Sequence, residues 1–169
     1  MSLKKSVLRV GDVVFSRSSS FYGFLIRLFT RSKYNHVGLV YNVDGENVEV
    51  FEALSNGVVL KKYDLKSLQS VYRLGGKALT KKQKSCFDTF VKNSLGFEYD
   101  WLSIKYLSLK ILSKGLFVFD RDTPNKVFCS ELVSRVYYDC FGVDLVRRRV
   151  HDYVTPKDIY LSPFLFKVR

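Results

Sequence analysis

Cysteine and histidine are the residues of this chain best suited to nucleophilic chemistry, and both are scarce. The 169 residues include three cysteines and two histidines. Cys129 precedes apolar residues that recur at helical steps until Gly142, so it is predicted at or near a helix N-terminus. Backbone N–H groups and the helix dipole favour a thiolate at that position. The same N–H groups can stabilise an oxyanion once the thiolate has attacked a carbonyl carbon.

His36 and Glu52 are the candidates for a general base and its orienting carboxylate. His36 begins an apolar strand-like run, and Glu52 lies in the next such run. The Asp44-Gly45 pair between the runs predicts a hairpin turn, so the two side chains can meet across the sheet. The carboxylate would orient the imidazole and stabilise the imidazolium. A Cys129–His36–Glu52 triad is therefore predicted, although a histidine before an apolar strand, or a cysteine at a helix start, is more often structural when taken alone.

Structural roles are predicted for the other two cysteines, for the second histidine, His151, and for Glu131. Cys86 and Cys140 lie inside helical apolar patterns and are interpreted as core thiols. The three cysteines lack metal-type spacing, so neither a disulfide framework nor a zinc site is expected, and a reducing compartment is favoured. His151 beside Asp152 has no nucleophile at a suitable spacing. Glu131 faces away from Cys129 on a helix, and its first-turn position favours compensation of the helix dipole.

The elements that must position these residues change in type along the chain. Strand-like runs occupy 10–15, 36–41, 48–54, 57–60 and 70–74. From Thr80 the pattern becomes helical, with Gln83 three residues later as in a capping box and an end near Gly96. Less regular apolar patterns predict helices at 21–29 and 101–112. Strands followed by helices around one core predict an α+β fold.

Composition predicts one globular domain over residues 1–169. Hydrophobic residues make up 47% of the chain and charged residues 26%, which is the usual balance for a domain with a real core. Neither an apolar stretch of membrane-spanning length nor a signal peptide is visible. A cytoplasmic location is expected on these grounds.

The chain is strongly basic, with a formal net charge of +12. Such a charge attracts nucleic acid, anionic lipid or acidic protein without specifying which. The basic residues are spread along the sequence, and no nucleic-acid-binding motif accompanies them. A solvated surface is the simplest interpretation, and peripheral contact with an anionic membrane or polymer is the alternative. No specific nucleic acid is expected as a partner.

Six short motifs, taken together, resemble a known family. They occupy residues 10–15, 34–40, 51–53, 96–101, 128–133 and 155–159. In this order they are similar to the YiiX-like family, which has bacterial and poxviral members and belongs to the circularly permuted branch of the NlpC-type papain-like superfamily. The resemblance spans nearly the whole chain. Its most specific parts are His36-Val37-Gly38 and the Phe-Cys-Ser-Glu-Leu-Val segment around Cys129.

The resemblance implies a fold and a site. The fold would be an antiparallel sheet or half-barrel packed against helices, one of which carries the nucleophile. The permutation places the strand histidine and its polar partner before the cysteine, as in the order His36, Glu52 and Cys129. Three further residues within the matching motifs are candidates for lining the site: Tyr99, Ser130 and Asn35. A buried structural role is the alternative for Tyr99.

The resemblance also implies an activity, a thiol hydrolase or acyltransferase that acts on an amide or ester and needs no cofactor. Relatives cleave peptidoglycan peptides, and others, such as the lecithin:retinol acyltransferase group, move acyl chains. The apolar 21–29 segment and the basic surface slightly favour a lipid-linked or peptide substrate over a peptidoglycan stem peptide. A non-catalytic lipid- or protein-binding module on the same fold is the alternative from another class.

Overall fold

The computed structural model of the protein describes residues 8–17, 32–76, 78–103, 105, 125–147 and 154–168. Three of the sequence predictions lie wholly or largely outside these ranges. They are the amphipathic helix at 21–29, most of the helix at 101–112 and the His151-Asp152 pair. Residues 101–103 are helical, in agreement with the start of the second of these.

A six-stranded antiparallel sheet forms the centre of the fold. Its strands, in chain order, are β1 (Val13–Ser16), β2 (His36–Asp44), β3 (Asn47–Leu54), β4 (Gly57–Asp64), β5 (Ser70–Leu74) and β8 (Leu165–Lys167). They are arranged as β4-β3-β2-β1-β5-β8. The sequence predicted the first five, but β4 continues to Asp64 instead of ending at Leu60. That extension places Tyr63 on a strand.

Besides the helical residues 101–103 and two short helical turns, the described ranges contain a small parallel pair and three α-helices. The parallel pair is β6 (Glu98–Tyr99) with β7 (Lys126–Val127), and the helices are α1 (Lys81–Ser94), α2 (Cys129–Val136) and α3 (Pro156–Tyr160). Thr80 and Gln83 form the predicted capping box of α1. None of the helices in the described ranges is long and apolar enough to cross a membrane.

The sheet buries residues on both of its faces. One face packs against the helices, and its core includes Phe15, Leu39, Phe51, Phe87, Leu132 and Val136. The other face carries a smaller apolar cluster that includes Val14, Val40, Val50, Leu68 and Val71. Strand alternation puts successive residues on opposite faces. This antiparallel sheet, packed against helices that include the one beginning at Cys129, matches the predicted α+β architecture.

The interpretation of Cys86 and Cys140 as core thiols is wrong, because the two form a disulfide. Cys86 lies on α1, and Cys140 lies in the π-helical turn Tyr137–Phe141 that continues α2. Packing of these elements brings the two Cα atoms within 5.3 Å, inside the range that a disulfide spans. A separation of 54 residues hides this pairing from the sequence. Cys129 is the free cysteine.

Candidate active site

Cys129 is the first residue of α2, as the sequence predicted. Lys126–Val127 pairs with β6 immediately before it, and Phe128 between them has extended backbone angles, φ −111° and ψ 167°. Phe128 is the N-cap residue, and no side chain caps the first turn. No side-chain cap therefore competes for the backbone N–H groups at the start of α2, where Cys129 lies. The thiol is 3% exposed, so its surroundings are largely protein.

His36 and Glu52 meet across the sheet. His36 Nε2 lies 2.5 Å from Glu52 Oε2, and the side chains are 14% and 3% exposed. Because Nε2 is engaged by the carboxylate, Nδ1 is the ring nitrogen left for the hydrogen bond between His36 and Cys129. The structure thus brings the three predicted residues together as a continuous chain from thiol to imidazole to carboxylate.

A β-bulge makes this meeting possible. Near the hairpin turn Val43 pairs with Val48 and Asn42 with Glu49, but beyond it Val40 pairs with Val50. Tyr41 is therefore an extra residue on β2. A uniform register from the turn would set Glu52 opposite Leu39, on the face that His36 does not share. The extra residue shifts the pairing by one and moves Glu52 to the face of His36.

Gly38 supplies the space between His36 and Glu52. A Cβ atom at this position would lie 2.7 Å from Val50 Cγ1 and 3.0 Å from Glu52 Cβ. Both distances are shorter than normal carbon contacts. The absence of a side chain at residue 38 therefore allows the Glu52 side chain to lie over β2 and extend to the imidazole.

The environment of His36 favours the imidazolium. Burial alone would lower the pKa of His36, because it disfavours the charged ring. The hydrogen bonds to Cys129 and Glu52, together with the negative charge of both partners, outweigh burial and raise the pKa from 6.5 to about 10. The site therefore stabilises a charged imidazole between Cys129 and the Glu52 carboxylate.

Tyr99 lies next to Cys129. It is the second residue of β6 and pairs with Val127, two residues before the cysteine. Burial, the negative charge of Cys129 and a hydrogen bond between the two side chains all raise the pKa of the Tyr99 hydroxyl well above its usual value. The hydroxyl therefore stays protonated and can donate a hydrogen bond near the sulfur.

Ser130 and Asn35 adjoin the site in sequence, and both are buried. The Ser130 hydroxyl donates to the backbone carbonyl of Val154 at 2.7 Å, which attaches the start of α2 to the segment before α3. The Asn35 backbone N–H donates to the Ser16 carbonyl at 3.3 Å and extends the β1–β2 pairing toward His36. Their role in lining the site stays a prediction.

Two acidic residues close to the motifs have structural partners. Glu131 forms a 2.8 Å ion pair with Arg135 one turn later on α2, away from the triad. Asp12 accepts the Arg9 backbone N–H at 2.8 Å, which fixes the turn before β1. Asp12 also receives two hydrogen bonds of 2.7 Å from the Arg73 guanidinium.

Tyr63 is a neighbour of the triad that sequence reasoning missed. Its hydroxyl donates a 2.5 Å hydrogen bond to Glu52 Oε1, the oxygen that does not face His36. The available signal was strand alternation, which puts Val59, Lys61 and Tyr63 on one face of β4, and Val59 pairs with Glu52. A strand predicted to end at Leu60 gives Tyr63 no face.

A cavity of about 260 Å³ borders the back of the site. Its wall includes His36, Glu52 and Tyr63, together with the apolar side chains of Val14, Val50 and Leu68. Among the residues that the structure describes, no group of three or more His, Cys, Asp or Glu side chains is arranged to hold a metal ion.

Comparison with known proteins identifies the fold and the family of this chain. The crystal structure of the metalloprotein YiiX from Escherichia coli O157:H7 has a TM-score of 0.68 and 22% sequence identity, and the match covers 96% of this chain and 97% of that one. At this identity the likeness shows a shared fold. No protein with a curated description matches. The sequence profile of the permuted papain-like amidase enzymes, YaeF/YiiX, C92 family, matches residues 7–158, so the chain belongs to that family of papain-like amidases.

Proposed function

We propose that the protein is a cysteine-dependent hydrolase that cleaves an amide or ester bond through Cys129, His36 and Glu52. The observation that carries the proposal is the 2.5 Å contact between the His36 imidazole and the buried Glu52 carboxylate, together with the interaction of the same imidazole with Cys129 at the start of α2. Membership of a papain-like amidase family supports hydrolysis at a carbonyl carbon. The substrate and the role of each residue are parts of the proposal.

The first half-reaction acylates the sulfur. The Cys129 thiolate attacks the carbonyl carbon, and the C=O electron pair moves onto oxygen to give a tetrahedral oxyanion. As the oxyanion collapses, the bond to the leaving nitrogen or oxygen breaks, and the His36 imidazolium donates its proton to that atom. The products of this step are a thioester on Cys129, a free amine or alcohol and a neutral imidazole.

The second half-reaction releases the acyl group. Neutral His36 takes a proton from a water molecule as its oxygen attacks the thioester carbon. Collapse of the second oxyanion expels the Cys129 thiolate, and the thiolate–imidazolium pair is regenerated. An amine or alcohol acceptor in place of water would give acyl transfer by the same route.

Two features near the sulfur are suited to stabilising the oxyanion. The uncapped first turn of α2 offers backbone N–H groups at Cys129. The Tyr99 hydroxyl, whose pKa is raised well above its usual value by burial and by the charge of Cys129, is a second donor at the same position. We assign Tyr99 this supporting role because it stays protonated throughout the reaction.

A lipid-linked or peptide amide or ester remains the proposed substrate class. The apolar 21–29 segment that favoured an acyl chain lies outside the described residues, so the remaining support is the net charge of +12, which suits an anionic substrate or membrane surface. YiiX is a metalloprotein, but we propose no metal for this chain, because its described donor residues form no group able to hold one.

The experiment that tests the proposal is intact-protein mass spectrometry after incubation with acyl-chain and peptide ester or amide probes. The wild type should gain one acyl mass, and Cys129→Ala should gain none. His36→Ala should form the adduct about 100-fold more slowly or worse, since positioned general acid–base groups contribute about 10²–10⁴-fold.

His151→Ala provides the matched control, because it removes the other histidine of the chain. It should acylate at the wild-type rate. Adduct formation that persists in Cys129→Ala, or that is equally fast in His36→Ala, would contradict the thiol mechanism. Failure of every probe to acylate the wild type would favour a binding module on the same fold.

A further inference from the structure

Glu52 accepts hydrogen bonds at both of its carboxylate oxygens. Oε2 lies 2.5 Å from His36 Nε2, and Oε1 accepts the Tyr63 hydroxyl at 2.5 Å. The carboxylate is 2% exposed, so protein groups replace most of its contact with water. A buried carboxylate with one of its oxygens unpaired would be costly, and Tyr63 satisfies the oxygen that His36 does not reach.

The contact between Tyr63 and Glu52 joins two residues that are not opposite each other in the sheet. On the sheet Tyr63 pairs with Val48, whereas Glu52 lies four residues further along β3 and pairs with Val59. The two side chains must lean toward each other along the strands, since four strand residues span about 13 Å. The Lys61 ammonium lies over the Tyr63 ring, 5.0 Å from its centre.

The surroundings give Glu52 an alternative position. The cavity of about 260 Å³ behind the site is bordered by His36, Glu52 and Tyr63. It is large enough for several water molecules. Without a donor at Oε1, the carboxylate could rotate into this space and hydrogen-bond water, which would break its contact with the imidazole.

We infer that Tyr63 is a positioning residue for the triad, holding the Glu52 carboxylate against His36. Tyr63 does not contact the reacting atoms and acts through Glu52. Burial and the hydrogen bond to the charged carboxylate both raise the pKa of the Tyr63 hydroxyl, so it remains a donor across the working pH range. The inference rests on the proposed function of Cys129, His36 and Glu52.

The test is a double-mutant cycle read by the rate of acylation of Cys129 with one ester probe. Tyr63→Phe removes only the hydroxyl, and we expect acylation to slow about 10-fold. Hydrogen-bond partners that orient functional groups contribute about 10- to 100-fold at metal sites, and the lower end applies here because Glu52 keeps its bond to His36. In a Glu52→Ala background, the same change should alter the rate less than about 2-fold, because its target is gone.

Tyr72→Phe is the matched control. Tyr72 is also a strand tyrosine with a hydroxyl that hydrogen-bonds another side chain, Tyr160, and its contacts lie outside the triad. It should acylate at the wild-type rate. Thermal unfolding of every variant gives the folded fraction, to which each rate is normalised.

The outcomes separate the inference from the proposed function. A wild-type rate in Tyr63→Phe, or an equal slowing with and without Glu52, overturns the positioning role while Cys129→Ala and His36→Ala still establish the thiol mechanism. Acylation that does not depend on His36 overturns the proposed function and the positioning role together. A rate loss confined to the background that contains Glu52 supports both.

Discussion

Replacing Glu52 with glutamine removes the negative charge beside His36 and keeps the size of the side chain. Glu52 is 2% exposed, and its Oε2 lies 2.5 Å from His36 Nε2, so the lost interaction is a buried, charge-assisted hydrogen bond. Such bonds contribute about 1.5–3 kcal/mol. At 1.36 kcal/mol for each unit, the pKa of His36 should fall by about one to two units from about 10. We therefore expect a value of about 8 to 9 in Glu52→Gln.

Nuclear magnetic resonance of the imidazole protons measures this pKa directly. The chain has two histidines, so a His36→Gln variant assigns the signal of interest by its disappearance. Glu49→Gln is the control, because Glu49 also lies on β3 but pairs with the exposed Lys62 at 3.9 Å. It should leave the pKa of His36 within about 0.3 units of the wild type, as expected for a screened surface charge. An unchanged pKa in Glu52→Gln would refute the role of Glu52 as the partner of the imidazolium.

The rise in the pKa of His36 on folding determines how the stability of the protein changes with pH. Because folding raises the pKa of His36 from 6.5 to about 10, the charged imidazole stabilises the folded protein fully below pH 6.5. That contribution is lost as the pH rises through about 10. The free energy of unfolding of the wild type, measured in urea, should therefore fall as the pH rises across this window. In Glu52→Gln, the stabilisation by His36 should be lost at a lower pH.

One substitution and one chemical reduction test how local structure supports the fold and the site. Gly38→Ala should lower the free energy of unfolding by about 1–3 kcal/mol and slow acylation, because the new Cβ would lie 2.7 Å from Val50 Cγ1 and 3.0 Å from Glu52 Cβ. Urea unfolding measures the first effect, and the ester probe measures the second. Wild-type stability together with a wild-type acylation rate would refute the crowding. Reduction of the Cys86–Cys140 disulfide, which closes a 54-residue separation, should lower the free energy of unfolding by up to about 4 kcal/mol. Thiol titration of the unfolded, unreduced chain should find one free thiol, and finding three would mean that the bond is absent.

Much of the architecture was predictable because local patterns determine it. The Asp44-Gly45 pair indicated the hairpin that joins β2 to β3, and Thr80 with Gln83 indicated the start of α1. The apolar steps after Cys129 placed that residue at a helix N-terminus. Each of these signals acts over a few neighbouring residues, so a single sequence is enough to detect it.

The disulfide and the Tyr63 contact depend on packing between distant segments. Cys86 and Cys140 become neighbours only when α1 lies beside the turn that continues α2. Tyr63 reaches Glu52 only because β4 extends to Asp64 in register with β3. The disulfide leaves no pattern in the local sequence, so both cysteines were predicted in the wrong state. Alternation along β4 places Tyr63 beside Glu52 only once the length and register of the strand are known.

The bulge at Tyr41 shows that the sequence could nominate His36 and Glu52 as partners without predicting the geometry of their contact. A regular two-strand hairpin already brings His36 and Glu52 to neighbouring strands, and that was sufficient to nominate them. In a regular register, however, the two side chains would lie on opposite faces of the sheet. One additional residue on β2 corrects the face, and Gly38 then provides the space for the carboxylate. The carboxylate–imidazole contact thus depends on backbone irregularity and on a missing side chain as much as on the residues that form it.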